Sequence, residues 1–155
     1  MLSLYKPACE ELWFKQALLS DPATMSYNNA WGGVISFPRE KWQTWYDVWF
    51  GEPEDQRFYR YLSDPAIDQF VGETAWHFDS ARQIYLCDVI VHAKYRGRGY
   101  GAEGLSLLCK AAKEKGIDAL YDDIAADNPS VQLFLAHGFS VHHRTDDIVT
   151  VERIL

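Results

Sequence analysis

The chain has no apolar run long enough to cross a bilayer, so no membrane span is expected. Lys6, Glu10 and Glu11 interrupt the start, which leaves no room for a secretory leader. The three cysteines, Cys9, Cys87 and Cys109, are scattered and form no CxxC pair. That excludes a disulfide framework and a zinc ribbon, and reads as free thiols in a reducing cytoplasm. Basic residues are also in deficit. Lys and Arg total 15 against 22 Asp and Glu, a formal net charge of −7. A nucleic-acid binder needs a basic surface, so that partner class is excluded and a cationic one suits better. There is no repeat, low-complexity segment or linker, and 155 residues fit one domain over 1–155.

Aromatic residues, by contrast, reach 15% with six Trp, enough for a large ring-filled core. Leu2 to Tyr5 reads as a short edge strand, and Pro7 opens a helical stretch through Leu19. Ala23 to Phe37 has no clear period and reads as a long loop, which in a small domain implies a purpose. Trp42, Trp45, Tyr46 and Trp49 then share one helical face after Pro38, with core packing the default meaning. Arg57–Leu62, Phe70–Phe78 and Gln83–Val91 read as antiparallel strands, separated by Ser63-Asp64-Pro65 and Asp79-Ser80 turns. A helix over about 101–115 follows, then a strand over 117–125, a short helix after Asn128-Pro129, and a closing hairpin. The order is βααβββαβαββ, an α+β chain with antiparallel strands first and a strand–helix–strand crossover near the end.

The strongest chemical signal is Arg96-Gly97-Arg98-Gly99-Tyr100-Gly101. Alternating glycines let successive backbone N–H groups converge, and the helix that follows adds unpaired N–H groups and the positive end of its dipole. Such a turn holds a phosphate or pyrophosphate. A bland tight turn competes, as does a Rossmann site, since Gly99 to Gly104 satisfies GxGxxG and Asp122-Asp123 ends the next strand. The Rossmann reading fails on two counts. Residues 92–97 separate the strand from its glycines, and too little chain follows Asp123 for the remaining parallel strands.

Val91 to Gly101 resembles the acetyl-CoA motif of the GNAT superfamily, Arg/Gln-x-x-Gly-x-Gly/Ala after a valine-rich strand. Asn128 to Phe134, with His137-Gly138-Phe139, resembles that family's second helix and its terminal Gly-Phe. The likeness is specific over about 84–139, and Asp21 to Met25 is similar too. The resemblance implies a GNAT-like mixed sheet with a parallel, splayed pair in its middle. It also implies an acetyl-CoA-dependent N-acetyltransferase acting by direct attack in a ternary complex. The backbone of Val89, Ile90 and Val91 would pair with the pantetheine arm. Amides from Gly97 to Ala102 would hold the pyrophosphate, with Arg96, Arg98 and Asn128 beside them. An N–H near Ile90 or Val91 would polarise the thioester carbonyl.

An ammonium acceptor must lose a proton before it attacks, and Glu73 and Asp88 are the candidate bases. Each has a plain alternative as a solvent-facing strand residue or half of an ion pair. Many family members carry a Tyr where Phe134 stands, and Phe has no proton for the departing thiolate. Tyr121 and His137 are possible substitutes by chemistry. A non-catalytic acyl-CoA sensor is therefore the alternative. Tyr27, Asn29, Trp31 and Asp122 are the candidate acceptor-binding residues, for a small-molecule or peptide amine. A homodimer is left open. No metal is expected, because adjacent strand residues such as His142 and His143 point to opposite faces.

Overall fold

A computed structural model describes residues 1–155. The chain runs β1 (Ser3–Tyr5), α1 (Trp13–Ser20), α2 (Trp42–Gly51), β2 (Arg57–Asp64), β3 (Gln69–Asp79), β4 (Ile84–Val91), α3 (Tyr100–Glu114), β5 (Ala119–Ala125), α4 (Ser130–Ala136), β6 (Ser140–Arg144) and β7 (Ile148–Ile154). One seven-stranded sheet results, ordered β1-β2-β3-β4-β5-β7-β6. Every neighbouring pair is antiparallel except β4 and β5. This is the α+β order and mixed sheet that the sequence implied.

Local chemistry sets the hairpins. The Asp79 carboxylate accepts the N–H groups of Ala81 and Arg82, which folds the chain back from β3 to β4. Thr145 Oγ1 accepts the N–H groups of Asp147 and Ile148 and closes the last hairpin. The two faces of the sheet bury different side chains. α3 supplies Leu105, Leu108, Cys109 and Ala112 to a core with Trp76, Cys87, Leu120 and Val151. Trp76 stacks on Phe58 at 4.0 Å between ring centres within that core. α1 and α2 cover the other face, where Trp45 meets Tyr59 edge to face at 4.8 Å. The aromatic stripe of α2 is thus core material, and Trp42 is buried with its indole N–H on the Phe37 carbonyl.

One expectation needs correction. Ala23 to Phe37 is not an open loop, because Thr24–Trp31 winds as 3-10 helix. Asp21 starts it by accepting both the backbone N–H (3.1 Å) and the hydroxyl (2.5 Å) of Thr24. Gly32, at φ 107°, ends it in a left-handed conformation. Only Thr24 and Met25 are buried along this segment, so it leaves no 3.6-residue apolar stripe to read.

Candidate active site

β4 and β5 share a single ladder pair, Leu86 with Tyr121. Beyond it the two strands part, and a cavity of about 630 Å³ opens between them. Val89, Ile90 and Val91 form its β4 wall, and the cavity is also lined by Asn128, just before α4, and by Leu133 and Phe134 within that helix. The glycine loop closes one end through Arg96, Gly97 and Gly99, followed by Tyr100, Gly101 and Ala102 from the first turn of α3. Gly97 and Gly99 take φ of 79° and 82°, the region L side chains avoid. Gly99 caps α3, whose first N–H groups have no acceptor within the helix. Tyr27, Asn29 and Trp31 of the 3-10 segment line the cavity together with Asp88 and Asp122.

The acids differ in what surrounds them. Asp88 is exposed to the cleft, yet protein encloses the cleft around it. That enclosure pushes its carboxyl up to about 7, Glu73 adds to the rise, and Lys15 opposes it. Asp122 is raised too, first by burial and then by Asp88 and Asp123. Burial likewise raises the Tyr27 phenol, with Asp88, Glu73 and Asp122 adding to it. Glu73 itself stands outside the lining. Its carboxylate is buried, 3.1 Å from Lys15 Nζ, and accepts the Tyr59 hydroxyl. Lys15 in turn sits 4.9 Å from the Trp45 ring and 4.8 Å from that of Tyr59.

The model of the family described as acetyltransferase (GNAT) family matches residues 20–139. The chain belongs to the GNAT acetyltransferase family. Solved structures agree on the fold. A GNAT-family acetyltransferase from Bacillus anthracis is 17% identical with a TM-score of 0.76, covering 99% of this chain and 94% of that one. An acetyltransferase-fold structure from Salmonella typhimurium, holding its cofactor acetyl-CoA, is 16% identical at a TM-score of 0.77, over 100% and 94%. A spermidine N-acetyltransferase from Vibrio cholerae, in complex with CoA and spermine, is 16% identical at 0.80, over 99% and 95%. No curated protein matches the sequence.

Within this GNAT frame, two of the sequence-predicted residues lie off the cleft wall: Glu73, held as above, and Arg98, whose guanidinium lies 5.5 Å from the Tyr95 ring centre. Tyr121 and His137 are also outside the lining. Tyr121 contacts His142 edge to face at 5.3 Å, and His137 Nδ1 is 2.7 Å from the Leu133 carbonyl. Phe134 does line the cleft. Asp123, the other acid of β5, lines the cleft but is already engaged. It is gripped by Arg82 at 2.6 Å and by the Thr150 hydroxyl, which hold its carboxyl below the usual range. Sequence reasoning missed Lys15 entirely and gave Thr24, inside the Asp21 to Met25 stretch, no role of its own. A buried lysine reads like any exposed one until its partners fold around it. No group of three or more His, Cys, Asp or Glu side chains is arranged to hold a metal ion.

Proposed function

We propose that the protein transfers the acetyl group of acetyl-CoA to a primary, cationic amine. The observation that carries this reading is the cleft itself. A nest of glycine-loop amides stands at one end, unpaired strand backbone lies along the wall, and two unneutralised carboxylates face the space. The pyrophosphate fits the Gly97–Ala102 turn, and the pantetheine arm fits the open edge of β4. Asp88, once ionised, attracts the ammonium, Asp122 offers it a hydrogen-bond acceptor, and the rings of Tyr27 and Trp31 offer it aromatic faces. A groove beyond Trp31, flanked by Asp127, Asp146 and Asp147, extends the same negative field. The spermine held by the Vibrio cholerae protein is a cation of this kind.

In this reading Asp88 accepts the ammonium proton, since its raised carboxyl matches a base working near neutrality. The freed nitrogen attacks the thioester carbonyl carbon, and the carbon–sulfur bond breaks. The attacking nitrogen sheds its second proton as the amide forms, and the thiolate takes it up through water, as Phe134 has none to give and the raised Tyr27 phenol is too weak an acid. Glu73 supports the site through its charge, with Lys15 beneath it. Phe134 favours a second reading, a sensor that binds acyl-CoA without turnover. Release of free CoA, measured across spermidine, spermine, aminoglycosides, amino acids and peptide N-termini, tests both. Turnover with a polycation supports the transferase. Tight acetyl-CoA binding with no release on any amine supports the sensor.

A further inference from the structure

Arg96 leads the glycine motif, but its guanidinium is not directed at the turn of the loop. It reaches across some seventy residues of sequence and donates to two backbone carbonyls, Ala23 O at 3.1 Å and Thr24 O at 2.8 Å. Two more contacts tie the same two segments, braced by hydrogen bonds within each. The Ala93 N–H donates to Thr24 Oγ1 at 2.9 Å. Thr24, fully buried, donates its hydroxyl to Asp21. Asp21 lies 3.7 Å from His92 Nε2, whose other ring nitrogen accepts the Lys94 N–H. Burial holds His92 below its ordinary pKa, so at neutral pH this is a close approach of a neutral ring to a carboxylate, too long for a hydrogen bond. The connection from β4 into the glycine loop, 92–96, is thereby fastened to the first turn of the 3-10 segment. Tyr27, Asn29 and Trp31, which line the cleft, follow directly from that fastened turn.

We infer that Arg96 is a positioning residue for the acceptor wall, and that the clasp it forms with Thr24 couples occupancy of the glycine loop to the order of residues 24–31. A planar guanidinium satisfies two carbonyls at once, which a lysine ammonium does not reproduce. Loop and wall then move as one body: a cofactor that fixes the loop also fixes the wall, and an amine meets a formed site only after acetyl-CoA is bound. The inference rests on the acetyltransferase reading for its ligand, but not for its contacts.

Amide hydrogen exchange on the whole chain, with and without acetyl-CoA, tests it. Two variants are compared with wild type. Arg96→Lys keeps the positive charge beside the loop. Thr24→Val cuts the clasp at a residue that does not line the cleft. Exchange at 24–31 in the unliganded protein is expected to quicken about tenfold or more in each, as a charge-assisted contact is lost. Acetyl-CoA should slow exchange there in wild type and do so far less in either variant. Any rise in its Kd should be shared by Thr24→Val, which leaves the arginine beside the loop in place, because the coupling is reciprocal. Unchanged exchange at 24–31 in both variants overturns the clasp. So does a large loss of acetyl-CoA affinity in Arg96→Lys with the wall unaffected, which makes Arg96 an ordinary phosphate-side cation. If acetyl-CoA fails to bind wild type, the proposed activity falls, while the unliganded comparison still decides the clasp.

Discussion

At the scale of single residues, the two carboxylates that looked alike in sequence are separated by their neighbours. Asp88 faces the cleft with only a distant lysine opposing its rise, whereas Glu73 is consumed by Lys15 and Tyr59. Asp88→Asn is therefore expected to lower kcat by roughly 10²–10⁴-fold with acetyl-CoA binding kept. Steady-state rates alongside calorimetric titration check this. A base at about 7 is protonated and idle below that pH, so kcat/KM should rise with pH through about 7 and then level. Stability runs the opposite way. The folded protein holds the Asp88 proton more tightly than the unfolded chain, whose carboxyl titrates near its ordinary value. This favourable contribution is complete below the unfolded pKa and disappears as pH rises through the folded one. Melting temperature should thus fall between about pH 4 and 7, and Asp88→Asn should flatten that fall.

Among the elements, the glycine loop and α3 have separable contributions. A Cβ at Gly99 would meet nothing within 4 Å, so a side chain there costs through its φ of 82° and not through a clash. Gly99→Ala should raise the acetyl-CoA Kd by roughly tenfold, about the cost of one left-handed L residue. Circular dichroism should stay native, and a titration with unchanged affinity removes the loop from cofactor binding. Gly104 is the contrasting case: its Cβ would lie 2.7 Å from a Leu62 methyl, so substitution there disturbs α3 packing first. The glycine loop was readable because its chemistry is local, carried by six consecutive residues. The strands were readable from aromatic and apolar runs bounded by turn residues such as Asp79 and Thr145. The 3-10 segment was not, since three residues per turn and an exposed face leave no apolar period. The roles of Glu73 and Arg96 were hidden for another reason. Their partners, Lys15, Ala23 and Thr24, lie 58 to 73 positions away, and no spacing rule reaches that far.

For the molecule as a whole, binding in the cleft should register as stability. At a hundredfold excess over its Kd, acetyl-CoA adds about 2.7 kcal/mol, which for a chain of this size raises Tm by roughly 5–10 °C. NAD at the same concentration should leave Tm unchanged, and a shift with NAD alone would end the acetyltransferase reading. The parted strands have one more consequence. A sheet of seven strands has two borders, here three-residue β1 and fully exposed β6 with its His142, His143 and Arg144. The gap past Leu86 and Tyr121 adds two more inside the sheet, the apolar stretch Val89-Ile90-Val91 after Asp88 on β4 and Asp122 to Ala125 on β5. Bare β edges of that composition are templates for strands of other molecules. Residues 24–31 flank the gap, and in the proposed binding mode the pantetheine arm would occupy these edges. The ligand is in this sense a protective lining as well as a reagent. An empty protein warmed toward melting should scatter light sooner than one saturated with CoA, by more than the difference in Tm accounts for.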